Sequence, residues 1–202
     1  TGANEGIDAY NYGSGALSIT TTGTTTGTAG NGIDAYNSSA GTDLTVNAAT
    51  TWGKDDGIEA KNYGSGALSI TTTGTTTGTT GGEADNETGY GIFAYNSSDG
   101  TDITINAATT TGTEDGIYAR NDGTGALSIT TTGTTESTID DSIYAWHEGS
   151  GTLSITTSGT TIGGIEGIDA RNNGSGALSI TTTGTTTGET GDGIDARNSS
   201  TG

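Results

Sequence analysis

The side chains here able to do chemistry are mostly carboxylates: 24 Asp and Glu stand against five Lys and Arg, one His and no Cys. Several recur at one place, just before a Gly-Ile or Ser-Ile pair: Glu5, Asp56, Asp115, Asp141, Glu166 and Asp192. Adjacent acids offer hard oxygen ligands, so the cofactor chemistry suggested is calcium at Asp55, Asp56, Asp140 and Asp141. Neighbouring like charges repel by about 1 kcal/mol even in water, which a bridging cation would relieve. No EF-hand loop and no Gly-Gly-x-Gly-x-Asp repeat specifies such a site. The competing expectation is solvated charge that keeps edges from aggregating. Catalysis has less to work with. Without a thiol, and with no Ser-His-Asp or metal-ligand spacing, the chain is expected not to be an enzyme. Lack of Cys also excludes a disulfide framework.

The second group of chemically telling residues is aromatic. Phe93, Tyr95, Tyr118, Tyr144 and Trp146, with Arg120 among them, fall at equivalent positions of successive repeats. They are expected to form one contiguous patch, for a glycan or for lateral protein contact. The alternative is stacking and cation–π contact that only steadies the surface.

What must position these residues is a repeat. Gly-Ile-x-Ala, or a close copy, starts at Gly6, Gly32, Gly57, Gly91, Gly116, Ser142, Gly167 and Gly193, mostly 25 or 26 residues apart. A fixed period of that size marks units that bury their apolar faces by stacking on one another. Each unit holds two runs of two-residue alternation, such as Ile7-Asp8-Ala9-Tyr10-Asn11 and Leu17-Ser18-Ile19-Thr20, then a looser Thr/Gly side. The expected fold is therefore all-β: a right-handed parallel β-helix (solenoid) of about eight coils with uncapped ends. The hand follows the bias of parallel crossovers. Residues 1–202 form one solenoid, with an inserted loop at about 81–89, where the spacing stretches. Two coil types mix. Type A carries Gly-Ser-Gly-Ala-Leu-Ser-Ile-Thr or a near copy; type B carries Asn-Ser-Ser-x-Gly-Thr-Asp.

Stacking turns equivalent residues into columns. The Ile, Ala and Leu/Ile columns are core. Two residues after each Ala come Asn11, Asn37, Asn62, Asn96, Asn121, His147, Asn172 and Asn198, a side-chain amide ladder with His147 in one slot. Outward Ser and Thr of the second run form a hydroxyl array, interrupted at Asn47-Ala49 and Asn106-Ala108. Of the Asn-x-Ser/Thr sequons, only Asn86 stands in a loop where glycosylation is credible.

A formal net charge of −19 repels polyanions, so nucleic acid is excluded as a partner. No run of about 18 apolar residues exists, and no membrane insertion by this segment is expected. Through Gly-Ile-x-Ala-x-Asn followed by Gly-Ser-Gly-Ala-Leu-Ser-Ile-Thr-Thr-Thr-Gly, the chain resembles the repetitive passenger regions of bacterial autotransporters and related large surface adhesins. The resemblance implies a β-helix on, or shed from, a Gram-negative cell surface, with no catalytic residue to carry over. The expected function is an extracellular structural or adhesive solenoid. It would be a segment of a giant adhesin or a subunit stacking head to tail into a fibre, with further copies of itself, glycans or a host surface as partners. The alternative is a polysaccharide-binding or polysaccharide-degrading β-helix.

Overall fold

β-Branched residues alternating with small polar ones make strands, and the Gly/Ser clusters between them make corners. A computed structural model shows the outcome and describes residues 1–80 and 89–199. Apart from Gly89, the inserted segment expected at about 81–89 lies outside the described residues, as does Asn86. Every described element is a strand, and each pairs in parallel with the equivalent strand of a neighbouring coil. The fold is a β-solenoid with three walls.

The first sheet stacks eight strands: Ile7–Asn11, Ile33–Asn37, Ile58–Asn62, Ile92–Asn96, Ile117–Asn121, Ile143–His147, Ile168–Asn172 and Ile194–Asn198. The second stacks seven, from Leu17–Thr20 to Leu178–Thr182, and the third seven, from Thr24–Gly27 to Thr186–Gly188. There are thus about seven full turns, with the eighth coil adding only its first strand among the described residues. Coils are numbered below by these first strands. The third wall, expected to be loose, is a regular sheet of strands of three or four residues. Register is one to one: Ile117 lies on Ile143, Ala119 on Ala145 and Asn121 on His147.

The interior is filled from two walls by apolar columns. Ile58, Ile92, Ile117, Ile143 and Ile168 of the first sheet are fully buried, as are Leu68, Ile103, Leu127 and Leu153 of the second. Removing one such side chain to Ala costs about 2–5 kcal/mol. The third wall turns threonine inward instead: Thr51, Thr76, Thr110, Thr135 and Thr161 are buried there. The Gly that opens each coil answers a close approach. A Cβ on Gly57 would sit 2.5 Å from the Gly91 carbonyl oxygen, and one on Gly116 2.6 Å from that of Ser142. Ser142 fills the same slot with a side chain, and its hydroxyl donates to the Thr135 carbonyl at 2.6 Å.

Candidate functional site

The outer side of the first sheet is where side-chain chemistry collects. Of the eight Tyr, two Trp and one Phe, all but Trp52 are tied into ring contacts along this wall and its corners. Strand alternation sends residues such as Asp8 and Tyr10 outward while Ile7 and Ala9 go in.

These rings form two files, not the single patch expected from sequence. The first is Phe93, Tyr118 and Tyr144, stacked at centroid distances of 5.0 and 5.1 Å with planes 1° and 14° apart. Tyr90 leans on it from the corner and Trp146 joins at 6.4 Å. Cations close both ends: Lys61 lies 5.3 Å from the Phe93 centroid and Arg171 5.3 Å from that of Tyr144. The ring faces of this file are thereby in contact with neighbouring rings and cations. Arg120 lies 5.9 Å from the Trp146 ring, with its Nε donating to Asp122 at 2.8 Å.

Tyr95 belongs to the second file, which sequence reasoning missed. Tyr12, Tyr36, Tyr63 and Tyr95 follow one another at 5.9, 5.3 and 5.4 Å, tilted by 42°, 39° and 56°, with Tyr10 beside the first two. The signal was an alternation. Type A coils place Tyr just after the ladder Asn (Tyr12, Tyr63), while type B coils place it just before (Tyr36, Tyr95), so rings zigzag across two columns.

The amide ladder forms. Asn11 donates to Asn37, Asn37 to Asn62, Asn62 to Asn96 and Asn96 to Asn121, at 2.8–3.2 Å. Each amide also holds its own corner, as when Asn62 donates to the Gly66 carbonyl at 3.1 Å. Asn172 resumes the series by donating to Asn198. His147 fills its slot, fully buried, with Nε2 3.1 Å from the Gly151 carbonyl. It nevertheless breaks the ladder, because its Nδ1 and the Asn172 Oδ1 have no partner. Burial pulls its pKa down, against the Gly151 and Asn121 carbonyls and Glu148.

Of the six acids before Gly-Ile or Ser-Ile, three are not solvated. Asp56, Asp115 and Asp141 are only 1%, 5% and 4% exposed. Their carboxylates accept backbone N–H groups from the next coil: Asp56 from Gly89 and Tyr90, Asp115 from Asp141, and Asp141 from Glu166, at 2.9–3.0 Å. Asn31 does the same for Asp56. Burial raises the pKa of Asp56 to about 8 and pushes up Asp115 and Asp141 as well. Asp140 and Asp141 lie with Asp115, their ligand oxygens within 4.8 Å of one another. Asp55 and Asp56 gain no third acid in such a cluster among the described residues. On the second wall, the interruptions of the hydroxyl array become two shallow grooves, at Asn47-Ala48-Ala49 and at Asn106-Ala107-Ala108.

Compared with known proteins, the chain matches no family model, no curated protein and no solved structure.

Proposed function

We propose that this chain is an extracellular, non-enzymatic structural and adhesive solenoid. The supporting observation is one-to-one register: each coil offers the next the same Ile, Ala and Asn columns, so a stiff rod extends by repetition. Such a rod serves equally as a segment of a giant adhesin of the autotransporter kind or as a subunit stacking into a fibre. The mass of the native polypeptide separates the two, being far above that of 202 residues in the first case and equal to it in the second. The tyrosine file is the recognition surface, whose partners would be glycans or proteins of a cell surface.

The test is adhesion. Beads coated with the chain should bind cells well above beads coated with a folded Tyr12→Ser/Tyr36→Ser variant, and equal binding removes the adhesive half of the proposal. The exposed tyrosines favour polysaccharide binding as the second reading, and turnover of a polysaccharide by the purified chain would promote the enzyme. Calcium, where it contributes, is assigned to Asp115, Asp140 and Asp141; a melting temperature indifferent to EDTA and to added calcium removes it.

A further inference from the structure

The first sheet holds its own cations in a repeated way. Lys61 has the Phe93 ring at 5.3 Å and pairs with Glu59. Arg120 has Trp146 at 5.9 Å and pairs with Asp122. Arg171 has Tyr144 at 5.3 Å and Trp146 at 5.8 Å, and pairs with Asp169. Each cation is thus placed between an aromatic ring and a carboxylate, which attract it together.

Coils 1 and 2 present the same ingredients and contain no Lys or Arg; Lys61 of coil 3 lies in register with Tyr36 and acts on Asp34 electrostatically, but its ion pair is with Glu59. Tyr10 and Tyr12 lie 6.1 Å apart with planes 7° from parallel, and Tyr36 is 5.7 and 5.9 Å from them. The Tyr10 hydroxyl donates to Asp34 at 2.7 Å, and Asp34 pairs in register with Asp8. Neither acid is in an ion pair among the described residues. Tyr10 and Tyr12 are 48% and 72% exposed on the outer side of the first sheet and its corner.

We propose that Tyr10, Tyr12 and Tyr36, with Asp8 and Asp34, dock an arginine side chain from a basic peptide segment of a partner protein. This rests on the reading of the tyrosine file as a recognition surface. Arginine is favoured over lysine because its planar guanidinium stacks on a ring while its edge reaches a carboxylate. A second copy meeting this face sideways is disfavoured by the net charge of −19, and the four basic groups of the first sheet are already paired with carboxylates. A flat glycan platform is disfavoured because Tyr36 is tilted 35° and 42° from Tyr10 and Tyr12.

Fluorescence anisotropy with a labelled hexa-arginine peptide, at physiological ionic strength, tests this. Tyr12→Ser/Tyr36→Ser keeps the charge, and serine already stands in the Tyr12 column at Ser38 and Ser97. That variant should raise the Kd about tenfold or more. Asp34→Asn should weaken binding clearly more than Glu189→Gln, an equal charge change at an exposed site elsewhere. Tyr12→Ser alone, at the most exposed ring, stands in where the double variant melts early. A Kd unmoved by the tyrosine changes overturns the proposal, and so does an equal loss from Asp34→Asn and Glu189→Gln, which would mean attraction by net charge alone. Binding of neutral cellohexaose that depends on Tyr12, with no arginine effect, also overturns it while leaving the recognition surface standing.

Discussion

At the scale of single residues, His147 shows how narrow the requirement of one ladder slot is. A primary amide brings two N–H donors and a carbonyl acceptor; a neutral imidazole brings one donor and one acceptor. Asn62 therefore reaches both the Gly66 carbonyl and Asn96, whereas His147 reaches Gly151 and leaves its own Nδ1 and the Asn172 Oδ1 unmatched. Buried, unmatched polar atoms cost about 1–3 kcal/mol. His147→Asn should restore the series from Asn121 to Asn172. The expected gain is about 1 kcal/mol, a rise of a few degrees in melting temperature by circular dichroism. A drop in melting temperature would mean that imidazole packing outweighs the amide bonds.

At the scale of elements, the three walls are held by different forces. The first two press apolar columns together, and the first adds amide and aromatic series along the axis. The third brings short strands whose inward column is threonine, with the hydroxyls of Thr51, Thr76, Thr110, Thr135 and Thr161 buried and lacking partners. Valine has nearly the same shape without the hydroxyl. Thr110→Val should therefore stabilise the fold by about 1 kcal/mol, read from urea unfolding at unchanged slope. Loss of stability instead would show that the hydroxyl finds a partner in solution.

At the scale of the whole molecule, charge and burial act together. The folded state raises the pKa of Asp56 to about 8 and also raises those of Asp115 and Asp141, relative to ordinary carboxyls near 4. An acid raised in this way favours the folded state fully below pH ~4, and that contribution is lost as pH climbs towards 8. His147, lowered, acts in the opposite direction below its ordinary value. Three carboxyls and the net charge of −19 outweigh one imidazole. The melting temperature should be higher near pH 5 than near pH 9. Asp56→Asn keeps an acceptor, as Asn31 does in the same column, so it should raise stability near pH 9 by about 2 kcal/mol and flatten the pH profile. A profile that falls with acid would mean that these carboxylates are held ionised.

The period of Gly-Ile-x-Ala and the alternation around it determined by themselves the parallel stack, the inward Ile, Ala and Leu columns and the Asn ladder. Each needs only that equivalent residues lie one above another, and spacing supplies that. Spacing could not show how side chains pair across columns. The corner residues Tyr12 and Tyr63 meet the strand residues Tyr36 and Tyr95 only because the wall bends there. Nor could it tell how far each acid folds under the next coil: Asp56 precedes Gly57 as Glu166 precedes Gly167, yet the first is buried and the second only half-buried. Burial and hydrogen bonding depend on the coil above, and the tertiary structure alone puts it there.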